Sequence, residues 1–282
     1  RDVAPSRGLG DVYKRQYSIS RITDEYVVLS DCDVICNVDF NDMIEYHKKS
    51  GADMTFAVKN VELTREKAKN NTLLTSDENG RITDVLVYPT DFEGRADITL
   101  NMVVVNTSYL RQIITDSIAH DYKSLSRDII ARNYKKMNYR VYRYDGYFAC
   151  ISSFLDYYQH SMELLSNAKA REMLFNVENR PVYTKVRNST PTYYSEKSSI
   201  KNSMVADGSY IEGTVENSII FRGVKVGRNA TVKNSILMQD TIVGDGAFLN
   251  YVITYKNVVL REGLMLCGAD SQPFYVAKGK ML

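Results

Sequence analysis

The chain has 282 residues, of which 44% are hydrophobic and 25% are charged, and this length is enough for two domains that each bury a core. Its formal net charge of +2 argues against the strongly basic surface that binds nucleic acid or an anionic membrane. The four scattered cysteines match neither a zinc-site spacing nor a disulfide framework, and no apolar run is long enough to span a bilayer, so we expect a cytoplasmic protein.

The N-terminal stretch 1–16, RDVAPSRGLGDVYKRQ, differs in character from the rest of the chain. It shows no apolar period, and we interpret it as a non-native leader that is excluded from fold reasoning. We therefore expect the chain to be an N-terminally truncated fragment of a protein whose native sequence begins upstream of Tyr17.

Residues 17–166 are predicted to alternate between strands and helices. The apolar run Tyr26–Leu29 predicts a buried strand, and Gly51 is placed to end the helix that follows. The remaining predicted elements are a helix from Asn41, a strand at Met54–Val58, a hairpin over Thr72–Val87, a strand at Leu100–Val105, helices at Ser108–Ala119 and Ser124–Tyr134, a strand at Arg140–Tyr144 and an amphipathic helix over Ile151–Leu165. This order predicts an α/β domain with a mostly parallel sheet.

Two carboxylates, Asp31 and Asp33, follow the first predicted strand. Ligands of such sheets bind beyond the carboxyl ends of the strands. Residues two apart face one side if the strand continues, and the pair could then hold a magnesium ion that bridges nucleotide phosphates. In the alternative interpretation, one carboxylate caps the following turn and the other is solvated. The spacing alone does not distinguish the two.

A motif recurs after the polar segment 167–197, which is interpreted as a linker. It reads Lys-Asn-Ser-Met-Val from 201, Glu-Asn-Ser-Ile-Ile from 216, Lys-Asn-Ser-Ile-Leu from 233 and, as a degenerate copy, Asn-Tyr-Val-Ile from 250. The last three copies, which start at 216, 233 and 250, are evenly spaced. Repetition at a fixed step indicates stacked structural units.

Within the repeat, single apolar residues recur about every six positions, as at Val226, Val232 and Leu237. This period is too long for a helical turn, and it fits a coil with three short faces and one inward apolar residue per face. The alternative is a β-meander with accidental spacing. We predict a left-handed parallel β-helix of hexapeptide repeats for residues 198–282.

The order of these features resembles glucose-1-phosphate adenylyltransferase (ADP-glucose pyrophosphorylase), and most of all its GlgD-type companion subunit. The resemblance extends from about Tyr26 to the C-terminus. The stretches that support it are Val28–Val34, Pro181–Val186, Thr192–Tyr194 and the repeated motifs. It implies that residues 17–166 form a partial, Rossmann-like nucleotide-diphospho-sugar transferase domain.

The resemblance also implies a chemistry. In this family, ATP and glucose 1-phosphate give ADP-glucose and pyrophosphate with Mg²⁺, which is held by a carboxylate at the position of Asp33. Catalysis depends on positioning and charge neutralisation. The family's Gly-rich phosphate loop has no counterpart in the sequence, and Gly8-Leu9-Gly10 is no substitute.

Three positions depart from the family pattern. Tyr88 stands where catalytic relatives carry a lysine that grips the sugar phosphate, and a phenol supplies no positive charge. Cys150 stands at the position of a second metal-binding aspartate, and a thiol is a poor ligand for magnesium. Asn101 falls within the stretch that contacts the sugar in relatives. Asp31 is a candidate to replace the missing ligand.

The resemblance implies a regulatory, catalytically impaired subunit in bacterial glycogen biosynthesis. Its expected partner is a catalytic homologous subunit in a hetero-oligomer, a tetramer by analogy, and its expected ligand is a sugar phosphate or nucleotide. The first alternative is a weakly active adenylyltransferase. A scaffold without a ligand is a further alternative. A hexapeptide acyltransferase is less favoured, because such enzymes often use a histidine on the coil and all three histidines precede it.

Overall fold

The computed structural model describes Ile19 and residues 21–282, so the predicted leader, with Gly8 and Gly10, lies outside the described residues. The chain divides into two compact units. The first contains the described residues up to Val34 together with Val38–Gly146, and the second contains Ile35–Asn37 and Tyr147–Leu282. In the described part of the chain, no helix is long and apolar enough to cross a membrane.

The first unit is built on a six-stranded sheet with helices around it. Its strands are β1 (Tyr26–Ser30), β3 (Met54–Leu63), β4 (Thr72–Ser76), β5 (Ile82–Val87), β6 (Gly94–Asn106) and β7 (Tyr139–Arg143). Its helices are α1 (Phe40–Ser50), α2 (Arg65–Ala68), α3 (Thr107–His120), a π-helix (Leu125–Ile130) and the short α4 (Ala131–Asn133). The predicted elements of this region are therefore present, with shifted ends.

The prediction of a mostly parallel sheet is wrong. The strand order is β5-β4-β6-β3-β7, and β1 pairs with β6. Only β3 and β7 run parallel, whereas the other pairs in this sheet are antiparallel. The long strand β6 is the reason, because it lies antiparallel to each of its three neighbours. The unit is a mixed α/β sheet of Rossmann-like type.

Helix α1 shows how local sequence sets the ends of an element. The Asp39 side chain accepts hydrogen bonds from the backbone N–H groups of Asn41 and Asp42, which satisfies donors that the first turn leaves open. Gly51 ends the helix at φ 58°, a left-handed conformation that glycine adopts without strain. Met43 and His47 lie on the buried face. The helix start, the glycine cap and the buried face agree with the sequence prediction.

The second unit begins with two small elements and two helices. Strand β2 (Val34–Cys36) pairs with β8 (Phe148–Cys150), and helices α5 (Phe154–Ser166) and α6 (Ala168–Phe175) follow. Helix α6 lies inside the segment that the sequence indicates as a linker. The Asn37 amide donates to the carbonyls of Leu174 and Arg180, at 2.9 Å each, and so fastens residues 35–37 to this unit.

Residues 193–276 form a parallel β-helix with three faces of five short strands each. The first face contains β10 (Ser199–Lys201), β13 (Thr214–Glu216), β16 (Thr231–Lys233), β19 (Phe248–Asn250) and β22 (Met265–Cys267). The second contains β11 (Met204–Val205), β14 (Ile219–Ile220), β17 (Ile236–Leu237), β20 (Val252–Thr254) and β23 (Phe274–Val276). The third contains β9 (Tyr193–Tyr194), β12 (Tyr210–Ile211), β15 (Lys225–Val226), β18 (Ile242–Val243) and β21 (Val259–Leu260).

The stacking of the coils confirms the predicted repeat. Glu216 pairs with Lys233, and Lys233 pairs with Asn250, so the first residues of the three motif copies lie directly above one another. The inward residues of the period, such as Val226 and Val232, are at most 1% exposed. One apolar residue per face fills the interior, as the six-residue spacing predicts.

Asparagines form a ladder at one corner of the β-helix. The Asn202 amide donates to the Asn217 carbonyl oxygen at 2.8 Å, and the Asn234 amide donates to that of Asn250 at 2.9 Å. Asn217 donates to Asn234 over a longer 3.4 Å. All but Asn250 have φ between 43° and 46°, a left-handed turn that asparagine tolerates better than other chiral residues. The left-handed backbone conformation at this corner thus explains why asparagine recurs in the motif.

Candidate functional site

The candidate residues of the first unit lie near an irregularity in β6. Phe56 pairs with Val103 and Val58 with Thr99, so two steps along β3 match four along β6. The extra residues make a bulge around Asn101. Strand β3 pairs with one side of β6 along most of its length. On the other side, β4 pairs with β6 before the bulge and β1 pairs with it after the bulge, so a gap separates β4 from β1 there. We call this place the bulge site.

Asp31 lies directly at the bulge site. Strand β1 ends at Ser30, and the Asp31 N–H donates to the Asn101 carbonyl at 3.2 Å. The chain then bends at Cys32 and Asp33 before β2 begins. The strand therefore does not continue, and the condition under which both carboxylates would face one side of it is not met. Asp31 is exposed, whereas Asp33 is half-buried with its Oδ1 shielded from solvent.

Asn101 is exposed and adopts φ 54° in the middle of β6. Its N–H donates to the Thr99 hydroxyl at 3.2 Å instead of continuing the ladder. An asparagine in this conformation is uncommon within a strand and marks the point at which the strand bends. The structure therefore brings Asn101 and Asp31 together.

Tyr88 follows β5 and donates its N–H to the Asn71 carbonyl at 3.1 Å. Val87 pairs with Thr72, and Leu73 pairs with Ile98, so Tyr88 lies at the level of the bulge. Tyr88 at the end of β5 and the bulge in β6 are two strand spacings apart, roughly 10 Å. Tyr88 has φ 53°, which costs a bulky residue on the order of 1–2 kcal/mol. Strained residues of this kind concentrate at functional sites.

Arg127 is a residue of this region that the sequence analysis misses. It lies on the π-helix, and its guanidinium carbon is 5.3 Å from the centre of the Tyr88 ring. A guanidinium over an aromatic face is held there by the ring quadrupole. Arg127 thus places a positive charge beside Tyr88. No spacing rule in the sequence links these two residues.

Cys150 belongs to the second unit, where it is the half-buried last residue of β8. Downstream, the Asp156 carboxylate accepts hydrogen bonds from the Ser152 N–H at 3.1 Å and from the Ser152 hydroxyl at 2.7 Å. Burial alone would raise the pKa of Asp156, but the hydrogen bonds from Ser152 and Ser153 outweigh it and lower the pKa. Asp156 is therefore a charged group engaged at the start of helix α5.

The chemistry of the bulge site fits a magnesium ion only in part. Among the described residues, no group of three or more His, Cys, Asp or Glu side chains is arranged to hold a metal. Magnesium often takes only one or two protein carboxylates and completes its shell with water and substrate phosphates. Asp33 and Asp31 offer hard oxygen donors of that kind. Either carboxylate fits an ion shared with a phosphate, and neither makes a site by protein alone.

Comparison with known proteins agrees with this architecture. Residues 189–279 match the family described as GlmU-like, C-terminal hexapeptide. The chain is 31% identical over 259 residues to the glycogen biosynthesis protein GlgD of Bacillus subtilis, covering 92% of this chain and 64% of that protein. The chain is similar to GlgD over most of its length. The GlgD of Geobacillus stearothermophilus is 35% identical over 259 residues, which also cover 92% of this chain and 64% of that protein.

Catalytic relatives are also found. The glucose-1-phosphate adenylyltransferase of Halalkalibacterium halodurans is 28% identical over 231 residues, which cover 80% of this chain and 58% of that enzyme. The predicted resemblance to the two kinds of protein is therefore confirmed. The chain spans less than two thirds of the length of each of these relatives.

Proposed function

We propose that this chain is a subunit of a glucose-1-phosphate adenylyltransferase in bacterial glycogen biosynthesis, and that it is regulatory and catalytically impaired. The similarity to proteins that carry the GlgD and adenylyltransferase names supports the pathway. The observation that supports the impairment is Tyr88, a neutral side chain in a strained conformation, which the resemblance aligns with the family's phosphate-gripping lysine.

The physical argument concerns charge at the transferred phosphate. A lysine ammonium neutralises phosphate charge, whereas a phenol offers one neutral hydrogen bond. Cys150, in place of the second metal-binding aspartate, removes a hard oxygen ligand. Removing one such group typically lowers a rate by about 10²–10³-fold. Two losses make the chain a poor catalyst that can still bind a ligand.

The test is an assay of ADP-glucose formation from ATP and glucose 1-phosphate with Mg²⁺. The purified protein alone should turn over at least about 100-fold more slowly than a catalytic relative. The double variant Tyr88→Lys, Cys150→Asp should gain activity, and the matched double variant Tyr88→Phe, Cys150→Ser should not. Turnover by the unmodified protein close to that of a catalytic relative would overturn the impairment.

The proposed partner is a catalytic homologous subunit in a hetero-oligomer. Mixing the chain with such a subunit should change the subunit's kcat or its response to metabolites, and both proteins should elute together in size-exclusion chromatography. Separate elution together with unchanged kinetics would count against a regulatory role.

A weakly active adenylyltransferase is the second candidate, and Arg127 favours it. Its guanidinium lies beside Tyr88 and supplies the positive charge that the tyrosine lacks. If this charge supports catalysis, Arg127→Gln should abolish the residual turnover, and Arg127→Lys should retain part of it. If Arg127 only packs on the ring, both variants should keep the activity of the unmodified protein.

A further inference from the structure

The first unit contains a second polar feature, a pocket of about 530 Å³. The C-terminal end of α1, the turn between β4 and β5, and the start of β7 form its walls. Tyr46, Lys49 and Ser50 come from the first of these. Asp77, Asn79 and Arg81 come from the second, and Arg140 comes from the third. Its volume is within the range of sites for small organic ligands.

This pocket is separate from the bulge site. Strands β1 and β3 both run antiparallel to β6, and β7 runs parallel to β3, so these three strands point in one direction. Arg140 stands at the start of β7, whereas Asp31 follows the end of β1. Arg140 is level with Val28, three residues before Asp31, so the two places are roughly 10 Å apart along the strand direction and three strands apart across the sheet.

Hydrogen bonds fix the turn that forms one wall. The Asp77 carboxylate accepts from the N–H groups of Asn79 at 3.0 Å and Arg81 at 2.8 Å. The Gly80 carbonyl accepts from the Val141 N–H at 2.8 Å, and the Arg140 guanidinium donates to the Asn79 carbonyl at 2.7 Å. The wall is thus held in place before any ligand enters.

Gly80 is required for this close approach. A Cβ added to it would lie 2.7 Å from the Tyr46 hydroxyl, and its φ is +77°. Only glycine meets both conditions without strain. The glycine allows the Tyr46 ring to line the pocket beside the turn.

The charges around the pocket do not balance. Lys49, Arg81 and Arg140 face it together with a single carboxylate, Asp77. In the described part of the chain, no ion pair joins these three cations to an acidic side chain, whereas the neighbouring Lys48 pairs with Glu45 at 2.9 Å. The side-chain charges at the pocket therefore sum to about two positive charges, which a dianion would neutralise.

We propose that this pocket binds a phosphate monoester of a small polar molecule. A phosphate monoester carries close to two negative charges at neutral pH, and arginine guanidinium groups match the geometry of its oxygens. Tyr46 and Ser50 line the same space and are available to the organic part. Inorganic phosphate fills only a fraction of the volume, so the organic part adds contacts.

Isothermal titration calorimetry with glycerol 3-phosphate as the probe tests this proposal, with inorganic phosphate and glycerol as comparison ligands. Glycerol 3-phosphate should bind more tightly than inorganic phosphate, and glycerol should not bind. The variant Lys49→Gln, Arg81→Gln should weaken binding about tenfold or more, because it removes two charged donors. Both side chains are exposed, so the fold should persist, which circular dichroism checks.

A matched variant locates the binding. Lys48→Gln removes a neighbouring lysine that is engaged with Glu45. It should bind glycerol 3-phosphate as the unmodified protein does. The proposal is overturned if no binding occurs, if inorganic phosphate binds as tightly as the ester, or if Lys48→Gln weakens binding as much as the pocket variant does. These measurements do not depend on adenylyltransferase activity.

Discussion

In the β-helix, buried side chains stack on their counterparts one coil away, whereas in the sheet unit each buried side chain has its own set of partners. Val232 pairs with Val215 on one side and Leu249 on the other, all fully buried. Phe56 instead packs edge-on against Tyr139, whose hydroxyl shares a hydrogen bond with Tyr109 at 2.6 Å. Substitutions at equivalent positions of the β-helix should therefore lower the free energy of unfolding by similar amounts. In the sheet unit, the loss should differ from one position to the next.

The largest expected effect is that of Phe56→Ala in the sheet unit. The side chain is fully buried, and its loss should lower the free energy of unfolding by about 4 kcal/mol. Thermal and urea denaturation should detect this in the transition of the first unit. Phe56→Leu, which keeps most of the volume, should cost less than about 1.5 kcal/mol. Equal costs for the two variants would contradict the packing argument.

In the β-helix, Val215→Ala and Val232→Ala should each lower stability by about 2 kcal/mol, because each removes two buried methyl groups. The sharper expectation is that the two costs agree within about 0.5 kcal/mol, since the coils contribute equivalent interfaces. Denaturation of both variants under one set of conditions measures this. Costs that differ by more than about 1 kcal/mol would mean that the coils are not equivalent.

A smaller effect on stability is expected at the corner that carries the asparagine ladder. Asn234 has φ 46° and a side chain bonded to both neighbours in the ladder. Asn234→Ala and Asn234→Gly both lose these hydrogen bonds, but alanine also has to adopt the left-handed conformation, which costs about 1 kcal/mol more. The glycine variant should thus be the more stable one in denaturation experiments. An alanine variant as stable as the glycine variant would show that the corner relaxes.

The smallest effect is expected from the buried His47. Its Nδ1 is 2.7 Å from the Thr55 hydroxyl and its Nε2 is 3.1 Å from Asn106 Oδ1. Burial lowers the pKa of His47 below its ordinary value, and this outweighs the opposing contributions of Asn106 and Asp53. The unfolded chain therefore takes up the proton first as the pH falls. Stability is complete above about pH 6.5 and declines as the pH falls toward the lowered pKa.

Denaturation of the unmodified protein at pH 7.5 and at pH 5.5 measures this decline. The exposed His120 provides the control, since His120→Gln should keep the pH dependence and His47→Gln should reduce it. An unchanged pH dependence in His47→Gln would assign the effect to other groups.

The same contrast between the units explains which features the sequence predicts. The coil motif is local and repeated, so the register from Glu216 to Lys233 to Asn250 follows directly from the spacing. The bounds of α1 follow from Asp39 and Gly51, which act on their own helix. These features depend on residues that are close in sequence, and they are confirmed.

The sheet unit depends on pairings between distant segments, and there prediction fails in part. The sequence of β6 does not indicate its direction relative to its neighbours. The prediction of a mostly parallel sheet is therefore wrong. Strand β1 ends at Ser30 beside the bulge at Asn101, and Asp31 is exposed whereas Asp33 is half-buried. Arg127 reaches Tyr88 only through the tertiary fold. The roles of Asp31, Asp33, Tyr88, Asn101 and Cys150 stay predictions.

The asparagine ladder also limits how the gene for this segment can change in length. Duplicating the codons of one whole coil would add another asparagine at the same corner and extend the β-helix by one strand spacing, about 4.8 Å. A shorter insertion has to loop out at a corner. The last step shows this, because Ile253 pairs with Tyr275, which lies further along the chain than the regular step from Ile236 to Ile253 would reach. The bridge between Ala269 and Gln272 lies within the intervening residues.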